Sequence, residues 1–157
     1  MKGPLGTFVA ILALLAIAPL AHGEEQTRES YKAQVEPICE ANRVANERIM
    51  SGTRERINKD KLVPAGKQFI RVSHSLGGLI NRIQTVPPPP ADERRVGRWL
   101  RFMRLLKTRL RKVGKYYKEG AEIKAAHESI LAERSGLSAN NISIVFKVRN
   151  CRFGRIG

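Results

Sequence analysis

The stretch DERRVGRWLRFMRLLKTRLRKVGKYYKEG, residues 92–120, decides the fold. Val96, Trp99, Met103, Leu106, Leu110, Val113 and Tyr117 recur at spacings of three and four, which puts them on one helical face over two heptads. Asp92 is the candidate N-cap, Glu93 complements the helix dipole in the first turn, and Gly120 is the candidate stop. A helix with one apolar face must bury it, so its partners have to come from elsewhere in the chain.

Upstream, Ala65, Phe69, Val72, Leu76, Leu79 and Ile83 alternate spacings of four and three behind Val63-Pro64, where proline suits a first helical turn. Gly77-Gly78 lowers helix propensity there and offers room for a neighbour to approach closely. This second segment ends at Val86, and Pro87–Pro90 should form a stiff, extended spacer of about 12 Å. The first segment, from about Tyr31 to Ile57, carries Tyr31, Val35, Ile38, Asn42, Ala45 and Ile49 on one face. Because proline belongs in a first turn, Pro37 predicts that the regular helix begins near Glu36, after a looser lead-in. Gly52 weakens the far end. Asn42 interrupts the apolar face as a buried, register-setting residue would.

Downstream, a fourth segment begins near Ala121, with Ile123, Ile130 and Leu137 at heptad spacing as its apolar positions and Leu131 beside them. Ile142, Ile144, Phe146 and Val148 then alternate as a strand would, but there is no second such run to pair with. Helix to about Phe146 is therefore the expectation, with a strand over 142–148 as the alternative. The predicted fold is all-α: four helices with short connections, in an antiparallel up-down-up-down bundle.

The first 23 residues read as a secretory signal peptide. Lys2 precedes an apolar run from Leu5 to Ala18, Pro19 breaks it, and Ala21-His22-Gly23 places small residues at a cleavage site before Glu24. A retained anchor is the alternative, although the run is shorter than the about 20 apolar residues of an ordinary span. The expected organisation is a signal at 1–23, a helical domain at 24–148 and a basic tail at 149–157. Lys2 is the only formal charge in the signal, so the net +15 of the chain becomes +14 after cleavage. Such an excess attracts polyanions such as anionic lipid or an acidic cell-wall polymer, and export argues against nucleic acid as the partner.

Cys39 and Cys151 are the two cysteines, and in an oxidising compartment an even pair predicts one disulfide. The up-down-up-down order independently brings the start of the first helix and the end of the fourth to one end of the bundle. A loop of about this length is worth about 4.7 kcal/mol by chain entropy, and about 2–4 in ordinary practice.

Little points to catalysis. His74 and His127 follow Arg71 and Lys124 at the third residue back, where a di-iron bundle would have glutamates. Ser73-His74-Ser75 offers no nucleophile–base pair, because helical neighbours point about 100° apart. Met103 and His127 lie on different helices with no spacing that marks a haem pair. Glu40, Glu47 and Glu55 are interleaved with Arg43, Arg48, Arg54 and Arg56, the pattern of a salt-bridged outer face. No catalytic, cofactor-binding or metal-binding residues are assigned, and no cofactor is expected. What stands out is that residues 94–118 hold eleven bases and no acid. Arg101, Arg104, Arg111, Lys115 and Lys118 fall opposite the apolar seam, with Phe102 at their flank, as a cationic ridge suited to anionic surfaces. The expectation is a secreted, non-enzymatic protein associated with the cell envelope. The alternative is a bundle that holds a small molecule, metal or haem between its helices.

One resemblance covers nearly all of the chain after the signal. It is carried by Tyr31, Val35-Glu36-Pro37-Ile38-Cys39, Asn42, Asn46-Glu47-Arg48, Pro88-Pro89-Pro90-Ala91-Asp92-Glu93, Trp99-Leu100, Asn140-Asn141 and Cys151-Arg152-Phe153, in that order. Together these residues resemble a family of exported helical proteins from high-GC Gram-positive (actinobacterial) bacteria. The resemblance implies a helical fold and paired end cysteines, and no activity.

Overall fold

A computed structural model describes residues 26–154. The predicted signal at 1–23 and the last three residues of the predicted tail lie outside the described residues. Among those described there are four long helices and no strand: α1 (Arg28–Met50), α3 (Leu62–Gln84), α4 (Glu93–Lys118) and α5 (Glu122–Val145). A six-residue helix, α2 (Thr53–Asn58), follows α1 across a break at Ser51-Gly52, where Gly52 adopts a φ of +70°. Short 3₁₀ turns occupy Pro90–Asp92 and Arg149–Cys151.

α4 is the central helix, packed along α3 on one side and α5 on the other, while α1 lies against α3. Its seam folds as the sequence predicts: Val96, Trp99, Met103, Leu106, Leu110 and Val113 are buried, and the Tyr117 ring stacks on Phe69 at 5.7 Å. The α3 seam from Ala65 to Ile83 is likewise buried throughout. The close approach of these helices is made by Gly66 and Gly114, whereas Gly77 faces only the Lys107 side chain and Gly78 nothing. A Cβ on Gly66 or Gly114 would stand 2.5 Å from the other's carbonyl oxygen.

The start of α1 corrects the sequence expectation. The helix begins at Arg28, capped by Thr27 Oγ1, which accepts from the Ser30 amide, and Pro37 lies in its interior. An interior proline costs about 3 kcal/mol or more. What outweighs it is the first turn and a half: Tyr31 and Val35 are fully buried, Tyr31 packs on Phe146 at 5.6 Å, and Arg28 pairs with Asp92. Asp92 therefore makes no N-cap bond. Its buried carboxylate accepts from Arg28 Nη2 at 2.9 Å and from Arg95, fastening α1 to the start of α4. The proline spacer is extended only as far as Pro89, since Pro90 opens the 3₁₀ turn.

The other correction concerns α5. It runs as helix to Val145, so the strand alternative is excluded, but Ile123, Ile130 and Leu137 face away from the core. The inward face is made of Ala125, Glu128, Ala132, Gly136, Ala139 and Ser143. Close packing selects these small residues: α4 presents Trp99, Met103, Leu106 and Leu110, so little volume remains for α5 to fill.

After α5 the chain turns back on itself. Phe146 meets Tyr31 and Trp99, Val148 is buried, and Cys151 bonds Cys39 with a Cα–Cα distance of 4.9 Å. Asn140 of α5 holds the returning chain by both backbone groups of one residue: its Oδ1 accepts from the Phe153 amide at 2.7 Å and its Nδ2 donates to the Phe153 carbonyl at 2.9 Å. The segment read as a tail is thus docked as far as Phe153, against α1 and α5. Cys39 sits well inside α1, and not in its first turns, because the returning chain travels up the bundle to reach it.

Candidate functional site

The exposed row on α4 arises directly from the helix's period. With the seam fixed by burial, residues 101, 104, 111, 115 and 118 are turned outward, and Arg101, Arg104, Arg111, Lys115 and Lys118 are all exposed. The remaining bases of the helix divide differently. Arg95 is held by Asp92, while Arg109 and Lys112 turn toward α5 and pair with Glu128, at 2.8 and 3.4 Å. Burial pushes the Glu128 carboxyl up, but the Arg109 hydrogen bonds and the two positive charges outweigh it and hold the group below its ordinary range. Arg94, Arg98 and Lys107 are exposed outside the row and make no ion pair among the described residues, so the structure neutralises three of the helix's bases internally and leaves the rest to solvent. Of the five in the row, only Lys115 has an acidic neighbour, Glu119, at 3.9 Å. Arg101 lies over the half-buried Phe102 ring at 5.7 Å, which steadies the cation while leaving it in solvent.

The row is not uniform along its length. Arg111, Lys112, Lys115 and Lys118, with Glu119 among them, line a depression of about 530 Å³ together with Ile70 and Thr108. It lies next to the Gly66–Gly114 crossing, where a Cβ on Gly66 would also meet Lys118 Cγ and one on Gly114 would meet Ile70. Close approach of the two backbones sets the Lys118 stem against α3 and gathers the cations around Ile70. Arg101 and Arg104 lie farther along the helix, outside this depression. Nothing in the periodicity of α4 marks Ile70 or Gly66 as part of such a place; their role depends on how α3 crosses it.

A second cavity, of about 290 Å³, lies between α1, α3, α4 and the returning chain. Met50, Phe69, Leu106 and Leu110 supply its apolar lining, and Asn42, Asn46 and Arg152 its polar edge. Asn42 is buried as expected of a register-setting residue: its Nδ2 donates to Ser75 Oγ at 2.7 Å and to the Ser75 carbonyl at 3.1 Å. Asn46 Nδ2 donates to Asn42 Oδ1, while its own buried Oδ1 has no partner among the described residues.

The remaining sequence candidates are placed apart from one another. Ser73 Oγ donates to the Ile70 carbonyl and His74 is exposed, while Met103 is fully buried and His127 exposed. Glu47 pairs with Arg43 and Glu55 with Lys59. Among the described residues no three of His, Cys, Asp and Glu come together as metal ligands would, and no helix is long and apolar enough to cross a membrane. Comparison of the chain with protein-family models, with curated proteins and with solved structures yields no match.

Proposed function

We propose that this is a non-enzymatic, exported protein that binds anionic surfaces of the cell envelope through α4. One observation carries the reading: five exposed bases stand in a single row with Glu119 as their one acidic neighbour, while Arg95, Arg109 and Lys112 of the same helix are drawn into internal pairs. Unpaired cations on a rigid helix gain more from a polyanion than cations already neutralised. The depression around Ile70 gives the row its strongest end, where Arg111, Lys115 and Lys118 converge and a phosphate or carboxylate would meet several cations at once. The signal-like residues 1–23 and the resemblance to exported helical proteins support an extracytoplasmic setting. The test is co-sedimentation with anionic vesicles and with cell-wall material across a salt series. Capture should fall steeply as salt rises, and capture indifferent to salt would contradict the reading.

A second reading, a bundle that holds a small apolar molecule, is favoured by the cavity beneath Asn42 and Asn46. It differs in its signature: such a ligand would raise the melting temperature with little dependence on salt.

A further inference from the structure

α5 is apolar on two opposite faces. Small residues fill the inward face, yet Ile123, Ile130, Leu137 and Ile144 stand outside at 88, 53, 55 and 51 % exposure. They follow one another at intervals of seven residues, a stripe about 32 Å long at 1.5 Å per residue. A strict seven-residue repeat drifts around an isolated straight helix, and it stays in contact with a neighbour only when two helices coil about each other. None of the four residues is part of the buried core.

We propose that α5 pairs in parallel with α5 of a second copy of this chain. Charge argues for that occupant and that direction. α4 carries eleven bases and one acid and would repel its copy, whereas α5 carries three acids, Glu122, Glu128 and Glu133, and two bases, Lys124 and Arg134. Two rows flank the stripe: Ala126 and Glu133 on one side, where Asn140 beyond them holds the returning chain, and His127, Arg134 and Asn141 on the other. Glu133 and Arg134 are sequence neighbours, point about 100° apart and so do not face each other on their own helix. Neither has an ion-pair partner among the described residues. A twofold axis running along the helix pair sets each row against the opposite row of the second copy at the same height. Glu133 of each chain then meets Arg134 of the other, and the four aliphatic residues meet themselves. An antiparallel pair would set Glu133 against Glu133 and Arg134 against Arg134. The contact is isologous and closes at two copies.

Sedimentation equilibrium over a concentration series, on the full chain and on the chain beginning at Glu24, tests the pairing. The expected result is a mass of two chains, falling to one in Ile130→Glu with helicity unchanged, since Ile130 lies outside the core. Glu133→Arg and Arg134→Glu should each weaken pairing by roughly tenfold or more, and an equal mixture of the two should restore it. Leu137→Cys should give a covalent dimer on oxidation, because Leu137 faces itself only in the parallel arrangement. One-chain mass at every concentration, a dimer indifferent to Ile130→Glu, or a mixture that fails to pair would overturn the proposal. A monomer captured by vesicles through the same stripe would assign the face to lipid and overturn it equally.

Discussion

Gly66 and Gly114 set the spacing of α3 and α4, and their absent side chains matter more than most that are present. A methyl group on either would press on the facing carbonyl, and on Gly114 it would also meet Ile70 Cγ1 at 2.7 Å. Gly114→Ala should cost about 1–3 kcal/mol by denaturant unfolding, a cost of overpacking that separates the two helices. Asp92 is the second decisive residue. The Arg28 hydrogen bonds outweigh burial and hold its carboxyl below its ordinary value of 3.8, and Glu128 is held below 4.5 in the same sense. For both groups the unfolded chain binds protons more readily than the folded one. Their contribution is therefore fully present above about pH 4.5 and is lost as pH falls through the lower folded values. Thermal unfolding over a pH series should show a plateau above that point and a decline below it. Asp92→Asn should lower the plateau and flatten the decline. In the sequence Asp92 reads as a helix cap, since aspartate is a favoured capping residue and Glu93 after it suits a first turn. Its pairing with Arg28, 64 residues away, has no local signal.

At the scale of elements, periodicity served α3 and α4 well because their partners bury one broad face and leave the other to solvent. It misplaced α5 because apolar spacing identifies a face without saying which neighbour covers it. The large side chains of α4 leave room only for alanine, glycine and serine on α5, and small residues carry almost no hydrophobic signal. Ala132→Leu should therefore destabilise by about 1–3 kcal/mol, while Leu137→Ser, measured at high dilution, should stay within about 0.5. The opposite ranking would return the stripe to the core. Pro37 misled for a related reason: local preference argued for a start near Glu36, but burial of Tyr31 and Val35 extends α1 through the proline.

In the whole molecule, α1 is held to α3 along its length and to α5 only through the returning chain, so the Cys39–Cys151 bond closes the one side where two helices do not meet. Thiol titration of the unreduced protein should find no free cysteine. Cys39→Ser with Cys151→Ser should cost about 2–5 kcal/mol and release the segment beyond Val148 to proteolysis. Cysteine parity and bundle topology made this bond legible in the sequence. The docking of Phe153 by Asn140 was not, because hydrogen bonds between an asparagine and a passing backbone leave no periodic trace. The cationic row was also legible, since it needs only the helical period. Its division into internally paired and unpaired bases was not, because Glu128 lies on another helix. The most direct test of surface binding through α4 compares two variants that lose the same charge in different places. One neutralises Arg101, Arg104, Arg111, Lys115 and Lys118; the other neutralises Arg48, Arg54, Lys61, Arg71 and Arg82, which are exposed on other elements. Measured by co-sedimentation with anionic vesicles and cell-wall material, the first should lose capture and most of its salt dependence while the second keeps both. Equal loss in the two would show that net charge alone attracts the protein and would contradict a binding role for α4.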